Sequence, residues 1–238
     1  MPIKLADVSS QQPLPLRLLQ IGDTGTGKSL RAADATRWGR VYFFDFDGKM
    51  KILADSLPAA QKALIDFDTY TDVESAIRFA DSLLKDCPYQ TIVVDTISVF
   101  NELAEEHAKV KGKIPIDGKL SYEGWDYIRN LCNELYFKRL HKLPCNVIVN
   151  CHVEKSKDLE GKEVLAAAGR GSFINGLPRR MTDVQYLAFS GGKYVVKAKK
   201  SERIATNSFV APEFVDALGN LKVLDLSVFD GRVMTEKK

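Results

Sequence analysis

Residues 22–29 read GDTGTGKS, a complete G-x-x-x-x-G-K-[ST] pattern. A loop of this kind constrains the fold more than any other stretch of the chain. Its glycines let the backbone curl so that successive N–H groups point inward at phosphate oxygens, which requires a strand before it and a helix after it. Lys28 is placed to reach the β- and γ-phosphates of a nucleoside triphosphate and Ser29 to hold Mg²⁺, while the helix start adds its positive dipole end. The flanks fit: residues 14–21, LPLRLLQI, read as a buried strand, and residues 30–38 as a helix. Gly22, Asp23, Thr24, Gly25, Thr26, Gly27, Lys28, Ser29 and Leu30 are therefore expected to bind ATP with Mg²⁺.

The rest of the chain supplies more strands and helices of the same α/β kind. Residues 40–47 form a second strand that ends in Asp45 and Asp47 before Gly48. Thr71 and Glu74 have capping-box spacing, and Val73, Ala76, Ile77, Ala80, Leu83 and Leu84 follow at helical intervals. Residues 89–95 are near-continuously apolar up to Asp95, as in strands buried on both faces of a parallel sheet. A helix over 98–110, a polar loop over 111–120, a long helix over 121–143 and an interior strand over 145–152 complete the core. Beyond a charged, mobile hairpin or loop at 155–163, short strands over 183–190, 193–199 and 208–210 suggest an antiparallel extension around Gly191 and Gly192. With 238 residues and no internal repeat or low-complexity linker, residues 1–238 read as one domain with a polar lead-in at 1–12.

No apolar run is long enough to span a bilayer, and residues 1–20 lack a charged-then-apolar leader pattern, so a cytoplasmic protein without a membrane partner is expected. The four cysteines and three histidines show no paired C-x-x-C spacing, which favours reduced thiols over zinc or disulfides. Net charge is only +3, but Arg170, Arg179, Arg180, Lys193, Lys197, Lys199, Lys200 and Arg203 cluster against Asp183 and Glu202 alone. That cluster is either a solvated strand face, a DNA-phosphate surface or a source of a basic group for a neighbouring subunit's γ-phosphate.

Asp95 stands where a strand-end acid holds Mg²⁺ opposite Ser29. The residue after it is Thr96, not glutamate, so the group that orients water has to come from another strand. Asp45 and Asp47 share one side of the second strand, and Asp47, just beyond its end, is the favoured candidate. At the end of the 145–152 strand, His152 is the first candidate for sensing the γ-phosphate and Asn150 the second. Trp125 falls on an apolar helical stripe with Ile128, Cys132 and Leu135, which favours packing over base stacking.

Taken in order, these parts resemble the RecA-like ATPase core over residues 14–210, with Asp47 in the place of the usual catalytic glutamate. More narrowly the chain is similar to short phage-encoded RecA-like single-strand annealing ATPases. The matches are Gly22 to Ser29, Asp45 to Gly48, Val93 to Thr96, and Tyr122 with Gly124. The resemblance implies a mostly parallel sheet with helices on both faces, Mg²⁺-dependent and DNA-stimulated ATP hydrolysis, and single-stranded DNA binding. It also implies a ring or filament of identical subunits and cooperation with a single-strand-binding protein, in the cytoplasm of a bacterial host. Lys28, Asp47, Asp95 and His152 would be the catalytic set and residues 153–170 a mobile DNA-facing loop. The basic element that usually closes such a core is replaced here by Ala205 to Ser208, which displaces the phosphate-reaching cation to Lys197, Lys199 or Lys200. Two other readings stand beside this one: a small-molecule kinase with residues 170–180 as its lid, and a DNA-binding module switched by ATP without hydrolysis.

Overall fold

A computed structural model describes residues 14–113, 121–157, 161, 163–198 and 210–235. The lead-in at 1–12, Lys199, Lys200, Arg203 and most of the strand expected at 208–210 lie outside the described residues.

Seven strands form the central sheet: β1 (Arg17–Gly22), β2 (Val41–Asp45), β3 (Ile65–Thr69), β4 (Thr91–Asp95), β5 (Asn146–Cys151), β8 (Asp183–Ser190) and β9 (Lys193–Lys197). A separate hairpin pairs β6 (Val153–Lys157) with β7 (Glu163–Ala167). The sheet order is β3-β2-β4-β5-β1-β8-β9, parallel throughout except for β9. The antiparallel C-terminal extension is thus the β8–β9 hairpin, while β8 also continues the parallel sheet beside β1. β3 was not expected from the sequence. Its IDFDT run is short and alternates half-buried Ile65 and Phe67 with aspartates, which suits an edge strand.

Helices cover both faces. α1 (Lys28–Ala33) and α2 (Met50–Ser56) pack on one side, where Gln61 of α3 (Ala59–Lys62) shares a cavity with Leu30 and Arg31 of α1; α4 (Val73–Lys85), α5 (Ile97–Val110), α6 (Tyr122–Leu135) and α7 (Ser172–Gly176) pack on the other. Strand residues alternate between the two cores: Phe44, Ile92, Val94, Val147 and Val149 face the α4–α7 side, while Phe43, Val93 and Ile148 face the α1 side. Fully burying each such side chain contributes roughly 1.5–3 kcal/mol. α4 is capped by Asp72, whose carboxylate accepts from the Ser75 amide at 2.8 Å, one residue later than the spacing from Thr71 suggests.

Two helices are shorter than expected. The one after the loop gives way at Asp34 to a 3₁₀ turn through Trp38. The helix expected over 121–143 ends at Leu135, and a 3₁₀ turn occupies Leu140–Lys142. Between them Arg139 leaves helical geometry and its guanidinium grips Asp81 at 2.7 and 3.0 Å and the Glu134 carbonyl at 2.8 Å. Tyr136, Leu140 and Leu143 remain fully buried, so the apolar spacing runs on through the break and conceals it.

Candidate functional site: a phosphate-binding loop facing two strand-end carboxylates

The parallel arrangement gathers the C-terminal ends of β1, β2, β4 and β5 at one edge, where crevices of open α/β sheets lie. Gly22 closes β1, and a Cβ there would stand 2.4 Å from the Leu187 carbonyl oxygen of β8, so only glycine lets the two strands pass. Gly25 and Gly27 take φ of 80° and 83°, the left-handed values that turn the loop back into α1. Thr26 faces inward and its hydroxyl donates to the Asp23 carbonyl at 2.7 Å, a bond that holds the loop's shape. The buried Lys28 ammonium donates to the carbonyls of Gly22 at 2.7 Å and Asp23 at 2.8 Å. Burial lowers its pKa, against the raising influence of Asp95, Cys151 and Asp47.

A cavity of about 320 Å³ opens over this loop. Thr24, Gly25, Gly27, Lys28, Ser29 and Leu30 form its floor, and Asp47, Asp95, Thr96 and His152 stand around it. The two strand-end acids are joined through the backbone: the amides of Phe46 and Asp47 both donate to the Asp95 carbonyl, at 2.7 and 3.3 Å.

Asp45 and Asp47 have separate roles. Asp45 is 1% exposed and accepts from the amides of Lys49 and Met50, at 3.1 and 3.3 Å, and from the Thr69 hydroxyl at 3.0 Å, fixing the start of α2. Asp47 faces the cavity, where the Thr96 hydroxyl donates to it at 3.3 Å and the Lys49 ammonium at 2.8 Å. His152 Nε2 lies 3.7 Å from Asp47 Oδ2, a contact longer than a hydrogen bond. Burial alone would raise the Asp47 carboxyl, but His152 and Lys49 outweigh it and hold the pKa at about 2.

Asp95 is nearly fully buried, and burial pushes its pKa up despite hydrogen bonds from Ser29 and Asn150. The Asn150 amide donates to Asp95 Oδ1 at 3.0 Å, and its own carbonyl accepts from Gln20 Nε2 at 3.0 Å. Gln20 in turn accepts from Arg31 Nη1 at 2.6 Å. Asn150 therefore braces the acid from inside the sheet and does not face the cavity as a sensor. Gln20, Arg31 and Lys49 were not singled out from the sequence, and Thr96 only as a motif residue. A glutamine inside the LRLLQIG strand is the signal that could have found the first, because a polar residue buried there needs a dedicated partner.

The Asp95 carboxylate is a buried negative charge beside neutral donors, while the nearby Lys28 ammonium is turned to loop carbonyls. A hard divalent cation suits that arrangement, with the Ser29 hydroxyl and Asp95 as its ligands.

The basic candidates are dispersed. Arg170 is paired with Glu105 at 3.0 Å, and its backbone is bonded to Asn101. Arg179 and Arg180 are exposed in a 3₁₀ turn just before β8, at the opposite end of the sheet from the cavity. Arg180 lies over the Phe137 ring at 4.5 Å. Lys197, at the end of edge strand β9, is level with Tyr186. Trp125 is half-buried, with its ring packed over Gly171. The 153–170 segment expected as a mobile loop contains the β6–β7 hairpin.

A family profile described as an AAA domain matches residues 14–208. No curated protein matches. One similar solved structure is described as a prototypical ATPase from the type III secretion system of pathogenic bacteria. It superposes with a TM-score of 0.49 at 12% identity, over 73% of this chain and 51% of that one. The chain thus spans about half the length of that ATPase. Among the described residues, no helix is long and apolar enough to cross a membrane.

Proposed function

Because the chain belongs to the AAA-domain family of P-loop ATPases, we propose that it hydrolyses ATP with Mg²⁺ and uses the γ-phosphate to reposition the β6–β7 hairpin. The observation that carries this reading is the placement of His152. Its side chain stands beside Asp47 at the cavity, while its amide accepts no freedom: it donates to Ser98 Oγ at 3.0 Å, and its carbonyl accepts from the Ala168 amide at 2.7 Å. A shift of His152 toward or away from a γ-phosphate is therefore passed directly to the base of the hairpin.

In this reading Lys28 leaves the loop carbonyls for the β- and γ-phosphates, and the loop amides cradle the rest. Ser29 and Asp95 would hold Mg²⁺, which would neutralise phosphate charge there. Asp47 remains ionised at any physiological pH, with a pKa of about 2. So weak a base orients the attacking water through a hydrogen bond and does not need to deprotonate it. The hairpin's position then sets contacts with a neighbouring copy, and the assembled ring or filament binds single-stranded DNA for annealing or pairing, in concert with a single-strand-binding protein. Support for the DNA step comes from the motif resemblance and from the exposed Arg179 and Arg180.

The kinase reading is favoured by one observation. A second, polar cavity of about 430 Å³ shares His152 with the first and is lined by Glu102, Glu105 and Arg170, as an acceptor pocket would be.

The deciding experiment measures inorganic phosphate release from ATP by wild type and Asp47→Ala, with and without single-stranded DNA. Turnover stimulated by DNA is expected, reduced on the order of 10²-fold in the variant, the scale of losing a group that positions a reactant. ATP binding without phosphate release in either condition favours the non-hydrolysing switch, and ATP consumption only with a small-molecule acceptor favours the kinase.

A further inference from the structure

We infer that the nucleobase of the bound nucleotide lies outside the phosphate cavity, in a separate apolar pocket where it stacks on Tyr194 of β9. The inference rests on the P-loop holding the triphosphate and adds where the rest of the molecule goes.

The triphosphate has a fixed direction. Its γ end lies by Lys28, Asp47 and His152, and its α end by the amides at the start of α1. The base must leave past Ser29 and Leu30. At that point the phosphate cavity meets a second cavity of about 330 Å³, and Gly27 and Leu30 line both. This volume falls in the range of small-molecule sites.

The walls of the second cavity suit an uncharged aromatic ring. Leu30, Tyr194 and Leu224 are 50%, 52% and 43% exposed, large side chains left at the surface around one hollow, with Val196 buried behind them. The Tyr194 ring reaches to 4.0 Å from where a Cβ on Gly27 would stand, so it overhangs the loop itself. Phe189 on β8 meets it edge-on, with ring centroids 5.0 Å apart at 63°, which fixes the orientation of its free face. The opposite wall is fixed as well, because Arg31 Nε donates to the Leu224 carbonyl at 2.6 Å.

The phosphate cavity holds Lys28 and Lys49 together with Asp47 and Asp95, and Arg31, Asp34 and Asp225 line the second one. Arg37 and the amides of Leu226 and Ser227 bind one oxygen of each of these last two carboxylates, Asp34 Oδ2 at 3.0 and 2.8 Å and Asp225 Oδ1 at 3.2 and 2.8 Å, so the second oxygen of each takes none of these bonds. Stacking on Tyr194 adds to a hydrogen bond that a base amine makes there. The competing location is the Ile52 side of the phosphate cavity, where Ile52 is 72% exposed.

The test compares binding of Mg²⁺-ATP and of inorganic tripolyphosphate, which has no base, to wild type, Tyr194→Ala, Tyr194→Phe, Ile52→Ala and Lys28→Ala. Tyr194→Ala should weaken ATP about five- to a hundred-fold, the range for removing one base–aromatic stack, and leave tripolyphosphate within about two-fold. Tyr194→Phe should bind both ligands like wild type. Lys28→Ala should lose both ligands, and if it loses neither, the P-loop reading itself fails. If Tyr194→Ala leaves ATP unchanged or weakens both ligands equally, or if the ATP-selective loss appears in Ile52→Ala, the base does not stack on Tyr194.

Discussion

Asp95 keeps a carboxylate where burial disfavours its charge, and its pKa is raised above the ordinary 3.8. The linkage has a definite sign. A raised carboxyl binds more protons folded than unfolded from pH 3.8 upward, so stability falls as pH rises through that window and stays lower at neutral pH. Asn at this position keeps the shape and still accepts from the Asn150 amide, without the buried charge. Asp95→Asn is therefore expected to unfold at a higher temperature than wild type at pH 7, by about 2–4 °C for each kcal/mol relieved. It should also lose Mg²⁺-dependent turnover. Calorimetry at pH 7 and pH 4 checks this, and the gain should shrink at the lower pH. A fall in Tm at pH 7 would mean the carboxylate is a net stabiliser and not a site held ready for a cation.

At the scale of elements, the sharpest constraint is the passage of β1 against β8. A Cβ on Gly22, at the end of one strand, would stand 2.4 Å from the Leu187 carbonyl oxygen of the other. Gly22→Ala must separate the strands or tilt the loop, and overpacking of this kind costs about 1–3 kcal/mol. The variant should show a lower Tm and weaker ATP binding together, whereas Lys28→Ala should lose binding with little change in Tm. This contact joins residues 22 and 187 and was not legible in the sequence, where Gly22 counted only as the first letter of a motif. The strands buried on both faces were legible, because runs such as TIVVD and NVIVNC leave little alternative. Edge strand β3 was not, since a five-residue run with two aspartates carries no burial signal. The ends of α1 and α6 were also hidden, because 3₁₀ turns continue the apolar spacing while Arg139 spends its hydrogen bonds on tertiary partners. In the site, the sequence singled out Lys28, Asp47 and Asp95, and the three line one cavity. The brace through Asn150, Gln20 and Arg31 depends on strand register, with Gln20 opposite Asn150 across β1 and β5.

Across the whole molecule, the cations proposed for DNA divide between two ends of the sheet. At the hairpin end, Arg170 and Lys109 are both paired with Glu105, at 3.0 and 3.1 Å, and Lys155 with Glu163 at 3.3 Å. Glu102, Glu106 and Glu154 line the same cavity, so a phosphate backbone would meet net negative charge there. At the other end Arg179 and Arg180 are exposed beside β8, and neither is paired with a carboxylate among the described residues. If the chain binds single-stranded DNA as proposed, the contact should run through Arg179 and Arg180 and not through Arg170. Each phosphate contact releases counterions, which gives log affinity a slope of about −0.7 against log salt for a single strand. Fluorescence anisotropy of a labelled oligonucleotide across a salt series reads that slope directly. The Arg179→Ala, Arg180→Ala double variant should bind more weakly and lose about 1.4 from the slope, two contacts' worth. Arg170→Ala should leave the slope unchanged, since removing a cation already paired with Glu105 releases no counterion at the DNA. A slope that falls in Arg170→Ala and not in the double variant would move the DNA to the hairpin end, and with it the direction in which His152 acts.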